Sequence, residues 1–233
     1  SLVGGGSAPR PGEASLAHGG VLFLDELAEF DRATLEALRQ PLEDCKITIA
    51  RAKDVLEYPA RFILVAASNP CPCGYRGHPE RECVCTPPVV QKYLARLSGP
   101  LLDRIDIQVE MSPLPFEEWR GDAQDTPQTS AQIRSRVERA RLAQRRRFKS
   151  LDFAVNAYLP AKELRSACGL DAQGLRVLEA ASKKMSLSAR GLDRALKVAR
   201  TIADLAESES VLANHLTEAL QFRSLDRQQQ LGK

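Results

Sequence analysis

The segment Val21-Leu22-Phe23-Leu24-Asp25-Glu26 is an apolar run closed by two consecutive acids. Four apolar residues after Gly20 read as a strand buried on both faces, the habit of parallel strands in α/β proteins. Ligands of open α/β sheets bind outside the carboxyl ends of the strands. At such an edge an Asp can hold Mg²⁺ and a second carboxylate can orient the water that attacks a γ-phosphate, so Asp25 and Glu26 are the first candidates for metal binding and catalysis. The competing reading is a strand that ends in two solvated acids. Asn69 closes a second apolar run, 62–67, and its amide can position water at the same edge, unless it only starts a turn before Pro70. Arg104 lies in Leu101-Leu102-Asp103-Arg104-Ile105-Asp106. Its guanidinium can neutralise the charge of phosphoryl transfer on a neighbouring subunit, or else forms an ordinary surface pair with an Asp.

A second chemistry belongs to sulfur. Cys71-Pro72-Cys73 is followed nine residues later by Cys83-Val84-Cys85. Two close pairs can supply the four thiolates of tetrahedral Zn²⁺, and a loop with so few apolar residues needs a staple to order it. One residue within each pair, against the usual two to four, makes a demand on the backbone. Reduced surface thiols or an oxidisable pair are the alternative, with His78 as a substitute ligand. Cys45 and Cys168 stand alone and read as buried thiols. Residues 134–149 hold eight basic side chains and one acid, which suits DNA, a neighbouring subunit or merely water.

The elements that position these residues follow from periodicity. Residues 1–20, rich in Gly, Pro and Ser, read as a loop outside the core. Asp31 caps one helix through Leu42, with Leu35, Leu38 and Leu42 on one face. Ile47 to Ile49 and Val55 to Tyr58 predict a hairpin whose tip holds Arg51 and Lys53. Val89 to Leu97 predicts a helix and Ile105 to Met111 a strand. Downstream the pattern turns helical: Ile133, Val137 and Ala140 share a face, Leu175, Leu178 and Ala181 another, and Ala195 to Ala206 is strongly amphipathic. Strands first and helices afterwards predict an α/β core over residues 1–112 with a Cys-rich insertion at 70–88, a linker at 113–130 and an all-helical lid at 131–233.

Several longer stretches carry a resemblance. Gly19 to Leu27, Leu35 to Glu43, Asn69 to Tyr75, Leu97 to Asp106 and Leu187 to Leu205 together resemble the magnesium-chelatase-like AAA+ ATPases of the ComM/YifB type. The resemblance implies the C-terminal part of a P-loop AAA+ core, a parallel sheet with helices, followed by a helical lid. It implies Asp25 and Glu26 as Walker B, with Asp25 on Mg²⁺, Asn69 as sensor 1, Arg104 as arginine finger and Arg190 as the sensor 2 arginine, with Arg194 as its competitor. A solvated helix-end arginine is the plain alternative for Arg190. The resemblance further implies ATP as ligand, a hexameric ring, a pore-facing hairpin carrying Arg51 and Lys53, and an ATP-driven DNA motor for branch migration during recombination in natural transformation. For that hairpin a solvated turn is the alternative. A chelatase-type motor that inserts Mg²⁺ into a porphyrin and a non-catalytic zinc-stapled binding module are the rivals.

One family element is missing. No Gly-x-x-x-x-Gly-Lys-Ser/Thr loop occurs, and Gly4-Gly5-Gly6 lacks the Lys and hydroxyl that would make one. The expectation is therefore a C-terminal fragment that binds and hydrolyses ATP poorly alone. A formal net charge of +3 argues neither for a bulk nucleic-acid binder nor for an acidic tail, while 43% hydrophobic and 27% charged residues in 233 suit one sizeable core or a core plus a small lid. Apolar runs are far shorter than the roughly 20 residues of a membrane helix, and no secretory signal is recognisable, so a cytoplasmic protein without membrane contact is expected.

Overall fold

The computed structural model describes residues 1–6, 10–50, 55–114, 116, 120, 128–148 and 155–223. They form two compact units, Ser1–Ile105 and Asp106–Lys233.

The first unit begins with a short helix, α1 (Glu13–Leu16), that leads into strand β1 (Val21–Leu24). Helices α2 (Arg32–Ala37) and α3 (Arg39–Asp44) follow, then strands β2 (Lys46–Ala50), β3 (Val55–Pro59) and β4 (Ile63–Ala66), and helices α4 (Pro87–Leu94) and α5 (Gly99–Leu102). β1 and β4 pair in parallel, from Val21 opposite Ile63 to Leu24 opposite Ala66. β2 and β3 pair antiparallel, from Lys46 opposite Pro59 to Ala50 opposite Val55. Leu22, Leu24, Leu35, Leu38, Ile47 and Leu101 centre the core. Each such side chain contributes about 1.5–3 kcal/mol by leaving water.

Four sequence expectations are corrected here. β1 is not buried on both faces: Leu22 and Leu24 point into the core, but Val21 is 56% and Phe23 60% exposed, and in β4 Ile63 and Val65 are exposed too. Among the described residues the helices cover one face of this pair. The helix expected from Asp31 to Leu42 is broken at Leu38, because Pro41 has no N–H to donate to Ala37; the Asp31 cap itself holds, its carboxylate accepting from the Thr34 N–H at 2.9 Å. The opening loop joins the core: Leu2 and Ala14 are buried, and Gly4 and Gly12 pass backbone against backbone, where a Cβ on Gly4 would meet the Arg10 carbonyl oxygen at 2.2 Å. Residues 105–111 form no strand.

The second unit is helical, with α6 (Ser130–Arg147), α7 (Ala161–Cys168), α8 (Ala172–Met185), α9 (Ala189–Leu205) and α10 (Ala213–Gln221). α6 starts in a reciprocal cap between Thr129 and Gln132. α9 is the hub, packing on α6, α7 and α10. Its Ala195, Ala199 and Ala203 are fully buried, and small residues at this spacing let neighbouring helices approach closely. An α/β unit with a parallel strand pair followed by a helical region is the AAA+-like fold class that the sequence predicts. Among the described residues no helix is long and apolar enough to cross a membrane.

Candidate nucleotide site and cysteine centre

The parallel pairing of β1 and β4 brings Asp25, Glu26 and Asn69 to one sheet edge. Pairing runs past both strands, the Ala67 N–H donating to the Leu24 carbonyl at 3.0 Å and the Leu27 N–H to the Ala67 carbonyl at 2.8 Å. Glu26 takes a left-handed backbone, φ 50° and ψ 45°. A non-glycine residue there carries a strain of roughly 1–2 kcal/mol, of the kind that gathers at functional sites. Its N–H donates to Asp25 Oδ1 at 2.9 Å. Both carboxylates and Asn69 are exposed. Oδ2 of Asp25 makes no hydrogen bond among the described residues, so the carboxylate retains an oxygen suited to a hard cation.

Two residues behind this edge escaped sequence reasoning. Tyr93 of α4 is buried, and burial, followed by the charge of Glu29, pushes its phenol above the ordinary value. Arg96 donates to the Ala28 carbonyl at 2.7 Å and pairs with Glu29 at 3.0 Å, tying α4 to the turn after Glu26. The only signal for them was a Tyr and an Arg three residues apart at the end of an apolar helix.

Arg104 sits elsewhere in the unit. It is 8% exposed, both its Nε and Nη2 donate to Glu43 Oε2, and Nη1 donates to the Pro100 carbonyl at 2.7 Å. The Ser98 hydroxyl caps α5 on the Leu101 N–H at 3.2 Å and so sets the turn that presents Arg104. The Asp pair considered from sequence is thus a Glu pair, 61 residues away in the chain. An open cavity of about 590 Å³ lies along this pair, lined by Glu36, Gln40, Glu43, Ile47 and Arg104 rather than by the acids of the sheet edge. The opening is wide and does not enclose a ligand.

The four clustered cysteines converge. Cys71, Cys73, Cys83 and Cys85 Sγ atoms all lie within 4.8 Å of one another. The separations are 3.4 Å for Cys71–Cys73 and 3.6 Å for both Cys71–Cys83 and Cys73–Cys83. Tetrahedral Zn–S bonds of about 2.3 Å imply sulfurs about 3.8 Å apart, so the set fits zinc. The short spacing is met by a turn in which the Gly74 N–H donates to the Cys71 carbonyl at 3.0 Å, with Gly74 at φ 81°. The backbone N–H of Tyr75 holds the Cys73 thiol down at about 6. Cys83 is pushed up to about 12: the Cys85 N–H lowers it, but burial and the neighbouring thiols outweigh that. His78 stands outside the cluster, its Nδ1 accepting from the N–H groups of Glu80 and Arg81 at 3.1 and 3.2 Å. Of the lone thiols, Cys168 is fully buried and pushed up to about 11 by that burial, whereas Cys45 is only half-buried, at the left-handed end of α3.

The remaining candidates divide. Arg51 and Lys53 lie outside the described residues; the strands that flank them, β2 and β3, are paired as predicted. Arg190 is exposed in the first turn of α9, which the Ser188 hydroxyl caps on the Gly191 N–H at 3.0 Å. Arg194, one turn on, is mostly buried and pairs with Asp106 at 2.6 Å.

Residues 1–119 match the family described as magnesium chelatase, subunit ChlI, and residues 127–223 match magnesium chelatase, subunit ChlI C-terminal. The chain is 47% identical over 231 residues to the competence protein ComM of Haemophilus influenzae, covering 97% of this chain and 43% of that protein. It is 46% identical over 228 residues to the uncharacterized protein YifB of Escherichia coli, covering 97% of this chain and 44% of that protein. An uncharacterized protein of Mycobacterium tuberculosis is 45% identical over 224 residues, covering 96% of this chain and 44% of that protein. The chain thus spans less than half the length of these relatives.

Proposed function

This chain belongs to the family of magnesium chelatase, subunit ChlI, and from that premise we propose that it supplies the Walker B, sensor and arginine-finger half of an AAA+ ATPase that drives movement on DNA. The observation that carries the reading is one sheet edge bearing Asp25, Glu26 and Asn69 on two parallel strands.

In this reading Asp25 would hold Mg²⁺, which when bound neutralises charge developing on the phosphates of ATP. Glu26 orients the attacking water and draws on its proton, and its left-handed backbone aims it away from the core that Leu24 and Leu27 enter. Asn69 can both donate to and accept from that water. Arg104 acts across a subunit boundary in a ring, proposed to be hexameric, after exchanging Glu43 for phosphate oxygens. Arg190, exposed in the first turn of α9, serves the nucleotide from the lid, with Arg194, paired with Asp106, as its competitor. Cys71, Cys73, Cys83 and Cys85 would hold a structural Zn²⁺ that orders the loop between Asn69 and α4.

DNA as the track is supported by the competence-protein relative and by the basic Arg51 and Lys53 between β2 and β3. Branch migration during recombination is the activity proposed. A chelatase motor acting on a porphyrin is the second reading, favoured by the family's description. The deciding experiment measures ATPase rate in the full-length polypeptide with and without branched DNA, beside Glu26→Gln. Stimulation by DNA, abolished in Glu26→Gln while ATP still binds, is expected. A rate indifferent to DNA and to Glu26→Gln overturns both substrate class and site. Chelation of zinc should open residues 70–86 to protease while α9 stays protected.

A further inference from the structure

Helix α6 concentrates positive charge that the rest of the chain lacks. Its seven arginines against one glutamate give it a formal charge of +6; since the whole chain is +3, all other residues together sum to −3. All seven are arginines and none is a lysine.

Six of the seven fall into two groups, and Arg146, also exposed, lies on the side of the first. Arg136 donates to Gln128 at 3.1 Å, Arg139 pairs with Glu207 at 2.8 Å, and Arg147 pairs with the buried Asp204 at 2.5 Å. At 100° per residue these three lie on one side of the helix. Arg134, Arg141 and Arg145 lie on the other, within about 40° of one another and about 10 and 6 Å apart along the axis. All three are exposed and make no ion pair among the described residues. The stripe of Ala140 and Gln144, which packs in the unit, runs between the two groups and leaves the ridge outside the core.

The helix dipole accounts for only part of this ridge. Cations in the last turn are favoured, which explains Arg145, but Arg134 stands near the N-terminus, where a cation is disfavoured, and Arg141 is in the middle. Arg141 and Arg145, one turn apart, repel each other. Glu138, the one acid of the helix, borders the ridge and lowers its charge from three to two. A row of unpaired guanidinium groups spanning about 16 Å matches a run of phosphates spaced about 3.4 Å along a strand axis.

We propose that the Arg134–Arg141–Arg145 ridge of α6 is a sequence-independent contact for the phosphate backbone of DNA, separate from the β2–β3 tip. The proposal rests on the DNA-motor reading and names a second surface for it.

The test uses the full-length polypeptide and fluorescently labelled duplex and single-stranded oligonucleotides, with affinity measured across a salt series. Wild type should show salt-dependent binding. Arg134→Gln/Arg141→Gln/Arg145→Gln should weaken it and flatten the slope of log affinity against log salt by about 2–3 on duplex, at unchanged helicity and unfolding midpoint. The triple Lys replacement should restore the slope. Wild-type affinity and slope in the Gln variant overturn the ridge and leave the motor reading standing. Normal DNA binding with lost self-association overturns it too, by making the ridge a subunit contact. A wild-type protein that binds neither oligonucleotide overturns the motor reading and the ridge together.

Discussion

Asp25 and Asp204 are the same residue type in opposite situations. Asp25 follows a strand in the open, its carboxylate held, among the described residues, only by the adjacent Glu26 N–H. Asp204 is fully enclosed by α9 and its neighbours: Arg200 donates to it through Nε at 3.2 Å and Nη2 at 2.9 Å, Arg147 reaches it at 2.5 Å, and the Asn156 amide donates at 2.8 Å. Arg200, itself fully buried, spends its other donors on the carbonyls of Ala167, Ser208 and Glu209. Burial lowers the Arg200 pKa and the facing Asp204 opposes that shift. The helical unit therefore uses its charges to close a core, whereas the α/β unit leaves carboxylates at an edge where chemistry can reach them. Removing one partner of a buried pair is costly because it strands the other charge.

That contrast can be broken from the helical side first. Asp204→Ala should destabilise the second unit by about 3–5 kcal/mol, read from urea unfolding, because two guanidinium groups lose their counter-charge. Asp25→Asn in the same assay should leave the unfolding midpoint unchanged, and a large loss there would erase the distinction. A middle case is Glu43, half-exposed but bonded to the buried Arg104. Glu43→Gln should cost about 1–3 kcal/mol, and a cycle with Arg104→Gln should return most of that as coupling. Additive losses would mean the pair is incidental. The smallest effect belongs to the open face of the strand pair: Phe23→Thr should change stability by no more than about 0.5 kcal/mol, while its neighbour Leu22→Ala should cost about 2–5. A Phe23→Thr loss above about 2 kcal/mol would show that this face is covered in solution.

Much of this was legible in the sequence, for reasons that differ by residue. Asp31 announces a helix start because a cap acts within three residues of itself; Ser188 and Thr129 cap helices in the same way but went unread. The acids after Leu24 announce a strand's carboxyl end because the alternation from apolar to polar is local. The partner of Arg104 was not legible, because Glu43 lies 61 residues away in the chain. Ile133 and Val137 continue the stripe of α6 and yet are 48% and 44% exposed, since burial of that stripe is confined to Ala140 and Gln144 further along the helix. Periodicity names the face of a helix but not the length over which a neighbour covers it.

The sequence by itself determined most of the strands and helices, the Asp31 cap, the acids after the first strand, the four cysteines and the family resemblance, all of which depend on residues within a few positions or on motif spacing. Only the tertiary structure decided that Glu43 holds Arg104, that Asp204 sits between two arginines, that the Cys-x-Cys pairs converge, and that the strand pair keeps an open face. Those outcomes join segments far apart in the chain, and which segments meet is set by the packing of whole elements rather than by the pattern within any one of them.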